Sequence, residues 1–161
     1  MQATRDPLTG LYNRRALLEQ FEQYFGLCVR EGKDHGVAMI DLDRFKVVND
    51  AYGHAQGDYL LKAFANTVRR CLKESDLVCR WGGDEFVAIM HGATLEVALK
   101  AAERIRSQAF GEFVLERTGE SARVEIAASI GAAEHMPNED AATLLERADR
   151  LMYEEKSRSK L

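Results

Sequence analysis

The segment 77–90 reads LVCRWGGDEFVAIM, and its pattern decides the fold. Two short apolar runs flank the pair Gly82-Gly83, which is typical of two antiparallel strands joined by a hairpin. The second run begins with Asp84 and Glu85, so the turn brings two carboxylates to the start of a buried strand. The segment therefore predicts a sheet with acidic side chains at one end.

A second acidic pair closes another apolar run. Segment 37–43 reads VAMIDLD, which predicts a buried strand that ends in Asp41 and Asp43. Residues two apart on a strand share a face, so both carboxylates point the same way. If the hairpin lies beside this strand, Asp84 meets Asp41, and a divalent cation would offset the repulsion. Oxygen ligands without nearby His or Cys favour Mg²⁺ or Mn²⁺ over zinc. The alternative is that these acids are solvated turn residues.

Helical spacing of apolar residues explains most of the remaining chain. A first helix is predicted to follow Asn13 as its cap and to end at Gly32. Further helices are predicted at 58–72, 94–110 and 140–157, and strands at 113–116 and 124–134 around a turn at 118–121. This order predicts an α+β fold, an α/β sandwich whose central, largely antiparallel sheet is flanked by helices.

Composition narrows the class of protein. A length of 161 residues suits one domain, taken as 1–161 with a short leader at 1–5 and a tail at 157–161 that we expect to fray. A net charge of −4 gives no sign of nucleic-acid binding. No apolar run is long enough for a membrane span, and the N-terminus lacks a signal peptide's apolar core. Three cysteines predict reduced, buried thiols in a cytoplasmic protein.

Segment 80–86, RWGGDEF, resembles the signature of the GGDEF-domain diguanylate cyclases. Four more segments resemble family motifs in the same order: DPLTGLYNRR at 6–15, DLDRFKVVND at 41–50, YGHAQGD at 52–58 and ASIG at 128–131. The resemblance covers essentially the whole chain. It implies a fold like the palm of nucleotide cyclases and polymerases. It also implies a reaction in which two GTP molecules condense into cyclic di-GMP and release pyrophosphate.

The resemblance also implies roles for single residues. Asp41 and Asp84 would bind Mg²⁺ or Mn²⁺ with the backbone carbonyl of Leu42, while Glu85 would orient or deprotonate the attacking 3′-hydroxyl and Arg80 would lie beside the site. Substrate-binding roles fall on the residues that would hold the triphosphate (Arg44, Phe45, Lys46, Lys156, Lys160), read guanine (Asn49, Asp58) or let the nucleotide approach the backbone (Gly82, Gly83).

Plainer interpretations stand beside several of these roles. Lys46 fits a solvent-facing lysine, Asp58 fits a helix N-cap, and Arg80 fits a surface strand residue. The glycine pair also fits a simple hairpin turn, which does not exclude a role beside the nucleotide.

Two stretches depart from the family pattern. Many members carry an inhibitory product site, Arg-x-x-Asp, where this chain has Lys73 and Asp76. Lysine lacks arginine's planar fork, so we expect weakened product binding there, unless the two residues merely end a helix. In the tail, Lys156 matches a phosphate-contacting lysine, but Lys160 replaces an arginine, so we expect a weaker phosphate grip unless Arg158 substitutes.

The implied reaction needs partners. Each domain would hold one GTP, so a second copy of the chain must complete the site as a homodimer, and a sensor domain is expected in the full-length protein. The main alternative is a catalytically idle domain that binds GTP or cyclic di-GMP, but the signature is intact. A different nucleotidyltransferase or a purine cyclase on the same fold is disfavoured by Gly82-Gly83 and Asp58.

Overall fold

A five-stranded sheet forms the centre of the molecule, which a computed structural model describes over residues 3–109, 111–117 and 119–159. The strand order is β1-β3-β4-β2-β7. A separate two-stranded hairpin is formed by β5 and β6. The strands are β1 (Tyr12–Asn13), β2 (His35–Leu42), β3 (Leu77–Arg80), β4 (Glu85–His91), β5 (Gly111–Arg117), β6 (Glu120–Ile126) and β7 (Ala128–Glu134).

Five helices are present in the described ranges: α1 (Arg14–Glu31), α2 (Phe45–Tyr52), α3 (His54–Cys71), α4 (Leu95–Ala109) and α5 (Ala141–Ser159). The predicted start of α1 is confirmed, because the Asn13 side chain accepts a hydrogen bond from the Ala16 amide at 2.9 Å. Its predicted end is confirmed as well, since Gly32 is left-handed with φ of 66°.

The central strand β2 pairs with β4 on one side and β7 on the other, both antiparallel. In this register Asp41 lies opposite both Glu85 and Ser129. Only the short β1 runs parallel to its neighbour, β3, among the paired strands described. The predicted largely antiparallel sheet is therefore confirmed.

Helices cover both faces of the sheet, and each face has its own core. Side chains of α2, α3 and α4 pack on one face against residues such as Ala38 and Ile40. Side chains of α1 and α5 pack on the other face against Val37 and Met39. Alternating residues of β2 thus point to opposite layers, as strand geometry requires. The layering confirms the α/β sandwich.

Some predicted boundaries were wrong. The helix predicted from residue 58 begins at His54. Gly53, whose φ of 90° is not helical, separates it from α2. The strand predicted at 124–134 is two strands, β6 and β7, separated at Ala127. The Ala127 carbonyl accepts a hydrogen bond from the Asp43 amide at 2.9 Å, so this residue leaves the hairpin to contact β2. Residues 110 and 118, at a predicted helix end and turn, lie outside the described residues.

All three cysteines are buried free thiols, as predicted. Among the described residues, the helices are too short or too polar to cross a bilayer.

Candidate active site

Three acids converge at one end of the central sheet. Asp41, Asp84 and Glu85 each offer a carboxylate oxygen, and these oxygens lie within 4.8 Å of one another. Asp41 and Glu85 are paired across β2 and β4. Asp84 is fixed by its backbone, because its carbonyl accepts a hydrogen bond from the Leu42 amide at 3.1 Å. The hairpin lies beside β2, which was the condition for Asp84 to meet Asp41, and the two acids do meet.

Asp41 is the most buried of the three acids, with 6% of its surface exposed. One carboxylate oxygen, Oδ2, accepts a hydrogen bond from Lys156 Nζ at 2.9 Å. The other, Oδ1, is buried without a hydrogen-bond donor among the described residues. A buried carboxylate oxygen without a donor is costly, and a hard cation would satisfy it. The residues present thus fit a divalent ion bound between these acids.

The electrostatics of the cluster agree with that fit. Burial raises the pKa of Asp41 to about 6, and the neighbouring charges of Asp84 and Glu85 act in the same direction against the ammonium of Lys156. Burial, together with the charge of Asp84, also raises the pKa of Glu85. A pKa raised in this way means that the surroundings stabilise the charged carboxylate poorly, and a bound divalent cation would stabilise it.

Asp43 lies beside this cluster but has a different partner. Its Oδ1 accepts a hydrogen bond from Ser129 Oγ at 2.7 Å, and burial raises the pKa of its carboxyl group. Ser129 stands opposite Asp41 on β7, so Asp41 and Asp43 share a side of the sheet as predicted. Sequence reasoning did not assign Ser129 to the site, although the motif at 128–131 contained it.

Arg80 braces the turn between β3 and β4. Its guanidinium donates to the carbonyl of Gly82 at 3.2 Å and to that of Gly83 at 2.9 Å. It also forms an ion pair with Asp6 at 3.3 Å. Arg80 therefore supports the loop that carries Asp84, and Asp6 is a supporting residue whose contact no sequence pattern revealed.

The backbone of this turn requires glycine at neither Gly82 nor Gly83. Neither Gly82 nor Gly83 has a left-handed φ. A Cβ atom added at Gly82 would meet Glu85 at 3.7 Å, which is ordinary contact, and one at Gly83 would meet nothing within 4 Å. The space over Gly83 is open beside the acids.

The residues predicted to hold phosphates lie at the start of α2. Arg44 precedes the helix in the left-handed region, with φ of 61°, Phe45 is buried and Lys46 is exposed. Backbone amides at a helix start attract anions. The exposed Lys46 agrees equally with a phosphate contact and with a solvent-facing lysine.

The two residues predicted to read guanine sit where α2 meets α3. The side-chain oxygen of Asn49 is buried without a donor in the described part of the chain. It packs so closely on Gly57 that an added Cβ there would lie 1.8 Å away. Asp58 follows Gly57 and is exposed. The interpretation of Asp58 as a helix N-cap was wrong, because α3 begins at His54 and Asp58 lies inside it.

The predicted phosphate residues of the tail are only partly described. Lys156 lies on α5 and reaches Asp41, whereas Lys160 lies outside the described residues. The burial of Lys156 lowers its pKa, but its hydrogen bond and charge interaction with Asp41 outweigh this effect and raise the pKa overall. The chain therefore places one positive charge of its own, the ammonium group of Lys156, at the acidic cluster.

Asp76 has a structural role in the stretch that resembles a product site. Its buried carboxylate accepts hydrogen bonds from the amides of Lys73 at 2.9 Å and His91 at 3.2 Å. The Lys73 side chain is exposed and lies just beyond the end of α3 at Cys71. Asp76 thus stabilises the turn that leads into β3. Of the two charged side chains, that of Lys73 is exposed to solvent and that of Asp76 is buried.

A cleft of about 450 Å³ opens next to Glu85 on the side of the sheet covered by α1 and α5. Trp81 forms part of its wall, with the guanidinium of Arg14 4.1 Å from the centre of the Trp81 ring. Met39 and Asp149 also line it. Glu85 is thereby reachable from outside the protein.

Comparison with known families decides the identity. The family model described as "Diguanylate cyclase, GGDEF domain" matches residues 3–160. The chain belongs to the GGDEF family. The diguanylate cyclase DgcP of Pseudomonas aeruginosa is 39% identical over 155 residues, which are 96% of this chain and 23% of that protein. The diguanylate cyclase DgcM of Escherichia coli K12 is 37% identical over 155 residues, 96% of this chain and 36% of that protein.

Solved GGDEF structures share the fold. The GGDEF domain of DgcB from Caulobacter crescentus, solved in complex with c-di-GMP, superposes with a TM-score of 0.91 at 30% identity, covering 98% of this chain and 92% of that one. The chain thus matches a GGDEF domain along nearly its full length, while it spans well under half of the two curated relatives.

Proposed function

We propose that this GGDEF domain is a diguanylate cyclase, which condenses two GTP molecules into cyclic di-GMP and releases pyrophosphate. The observation that carries the proposal is the convergence of Asp41, Asp84 and Glu85, with Asp41 Oδ1 left without a donor among the described residues. The curated relatives that match the chain are named diguanylate cyclases.

Asp41 and Asp84 would hold Mg²⁺ or Mn²⁺, with the backbone carbonyl of Leu42 as a further ligand. Hard, oxygen-binding cations suit this carboxylate set. Such an ion, when bound, neutralises phosphate charge and activates the attacking hydroxyl. Glu85, whose pKa is raised by burial and by Asp84, is suited to orient the 3′-hydroxyl or to accept its proton.

The nucleotide would extend from the acids toward α2 and α3. The amides of Arg44 and Phe45, with Lys46, would bind the triphosphate at the start of α2. Asn49 and Asp58 would read guanine, since a carboxylate accepts hydrogen bonds from two neighbouring N–H groups of that base. The open space over Gly83 leaves room for the phosphate chain next to Asp84.

Each copy of the domain would bind one GTP, and the reaction would take place between two copies. The 3′-hydroxyl of each GTP attacks the α-phosphate of the other, so two phosphodiester bonds form and two pyrophosphates leave. Positioning and charge neutralisation provide most of the acceleration in such a reaction. A regulatory domain that brings two copies together is part of the same proposal.

The test is to incubate the chain with GTP and Mg²⁺, both as it is and fused to a dimerising coiled coil, and to measure cyclic di-GMP by chromatography. The forced dimer should make product, and Asp84→Asn should abolish it. Asp34→Asn, which removes an exposed acid near the opposite end of β2, is the matched control and should leave the rate unchanged. A forced dimer that binds GTP and makes no product would show an idle binding domain instead.

A further inference from the structure

Arg106 and Glu155 form a two-point ion pair that ties α4 to the last turns of α5. Arg106 Nε donates to Glu155 Oε1 at 2.8 Å, and Nη2 donates to Oε2 at 2.6 Å. The side chains are only 29% and 26% exposed. A partly buried pair with two parallel hydrogen bonds fixes the direction of both side chains, which one contact to a lysine would not do.

The same guanidinium reaches the central sheet. Its Nη2 also donates to the carbonyl of Ile130 on β7 at 3.3 Å, and Nη1 contacts Glu103 one turn earlier on α4. Ile130 follows Ser129, the residue that holds Asp43. Arg106 thus joins α4, β7 and α5 next to the acidic cluster, although it touches none of the three clustered acids.

The position of α5 determines where Lys156 lies. At Gly131 the backbone of β7 touches that of α5, since an added Cβ would lie 2.1 Å from the carbonyl oxygen of Ala148. Beyond this contact the helix continues to Lys156, close to its end at Ser159. The last turn of a helix frays easily, because its carbonyl groups lack partners within the helix. Glu155, held by Arg106, is the neighbour of Lys156 in that region.

We propose that Arg106 and Glu155 are positioning residues that keep the last turns of α5 folded and so hold Lys156 at the site. The inference rests on the proposed function only where Lys156 is taken to contact GTP; the effect on the helix is independent of it.

The molecule contains a matched control pair. Arg147, nearer the start of α5, donates through Nε and Nη2 to the two carboxylate oxygens of Glu139 at 2.5 and 2.8 Å, and through Nη2 to the carbonyl of Glu134 at 2.6 Å. Arg147 therefore makes the same kinds of contact as Arg106: two hydrogen bonds to a glutamate carboxylate and one to a backbone carbonyl of β7. Arg106→Lys and Arg147→Lys both keep the charge and lose the fork.

The first measurement is amide hydrogen exchange of ligand-free protein, followed by mass spectrometry. Arg106→Lys should speed exchange in residues 152–158 by about 10-fold, because opening of that turn becomes easier. Arg147→Lys should change exchange near the start of α5 and leave 152–158 as in the unmodified chain. Equal exchange in 152–158 for Arg106→Lys and the unmodified chain would overturn the inference, whether or not the protein binds GTP.

The second measurement is GTP affinity and kinetics in the presence of Mg²⁺. Glu155→Gln removes a negative charge near the site, so simple electrostatics would tighten binding of anionic GTP. A positioning role gives the opposite sign: KM rises about 5-fold while kcat changes little. Glu154→Gln makes the same charge change at an exposed neighbour and should not raise KM. Tighter binding in both variants would refute positioning, whereas a chain that binds no GTP at all would refute the proposed function instead.

Discussion

Lys156 and Asp41 are 115 residues apart in the chain, yet Lys156 Nζ lies 2.9 Å from Asp41 Oδ2. Asp41 ends the apolar part of the central strand, and Lys156 lies near the end of the last helix. The contact therefore exists only when the sheet and α5 are both in place. It puts one positive charge beside three acids, which leaves the cluster negative and ready for a further cation.

Replacing Asp41 by Asn should abolish activity with little loss of stability. The variant removes the most buried of the three clustered acids, so we expect product formation to fall by about 1000-fold. Repulsion among the three clustered acids also falls, so the melting temperature should stay the same or rise. The checks are cyclic di-GMP production and thermal unfolding. Strong destabilisation would instead show that the contact of Asp41 with Lys156 outweighs the repulsion among the acids.

Replacing Asp58 by Ser should relax nucleotide choice. The carboxylate is exposed on the residue that follows Gly57, against which Asn49 packs. There it can accept hydrogen bonds from guanine N–H groups that adenine lacks. The preference for GTP over ATP should fall by about 10-fold, measured as the ratio of their kcat/KM values. Asp50→Ser, at an exposed acid on α2, serves as control. Unchanged selectivity would count against the assignment of Asp58.

Replacing Lys73 by Arg should strengthen product inhibition. The side chain is exposed next to Asp76, and arginine adds a planar fork that lysine lacks. The concentration of cyclic di-GMP needed for half inhibition should fall by about 10-fold. Lys100→Arg, on the surface of α4, controls for a general effect of the substitution. Tight product binding that already depends on Lys73 in the unmodified chain would contradict the expectation.

His35 should make the protein less stable in mild acid. The ring is fully buried, and neither ring nitrogen has a hydrogen-bond partner in the described structure. Burial lowers its pKa to about 4 from 6.5, assisted by His135 and His91 and opposed by Asp34 and Glu139. Between pH 6.5 and pH 4, His35 therefore binds a proton in the unfolded chain but not in the folded one. The contribution of His35 to the free energy of unfolding is fully present above pH 6.5 and is lost as pH falls toward 4. At pH 5 the free energy of unfolding is lower by about 2 kcal/mol.

The variant for this test is His35→Phe, which suits a site lined by Phe21 and Phe25 and cannot titrate. Urea unfolding at pH 7 and at pH 5 gives the free energy of unfolding of each protein. The advantage of the variant over the unmodified chain should grow as pH falls. Parallel pH curves for the two proteins would rule out His35 as the source.

Gly131→Ala should displace α5. The new Cβ would lie 2.1 Å from the Ala148 carbonyl oxygen and 2.3 Å from the Met152 nitrogen, both backbone atoms that cannot turn away. We expect a stability loss of about 2 kcal/mol or more, with weaker GTP binding as Lys156 moves. Gly26→Ala is the control, since it lies within α1 with nothing within 4 Å and should stabilise by about 0.5 kcal/mol or more. Chemical unfolding of both variants measures the contrast, and a neutral Gly131→Ala would show that the helix shifts at no cost.

The sequence predicted the strands that carry the acids because their signal is local. Apolar runs ending in Asp41 and beginning at Glu85 mark β2 and β4. That these two strands lie side by side was a condition of the prediction, and their antiparallel pairing meets it. Two features could not be predicted in this way. The short β1 is only two residues long and owes its existence to pairing with β3. The break at Ala127 depends on a hydrogen bond from Asp43, a residue far away in the chain.

The contacts that support the site also could not be predicted from local sequence patterns. Ser129 holds Asp43, Asp6 holds Arg80 and Arg106 holds Glu155, and each pair joins separate elements. Serine, aspartate and arginine are common on protein surfaces, so nothing in their own neighbourhood marks them as partners. The acids that would bind metal were indicated by the strand pattern as well as by the family resemblance, and the roles of the site residues stay predictions.

Glu85, Asp41 and Ser129 form a row across three adjacent strands, β4, β2 and β7. Successive side chains of a strand alternate between the two faces, so deleting one residue within any of these strands would send its member of the row into the opposite core. Changes of length are harmless to the row only where they fall in the connections, and the β5–β6 hairpin, outside the central sheet, is the natural place for them. A reporter peptide inserted at that hairpin would leave the spacing of all three strands untouched.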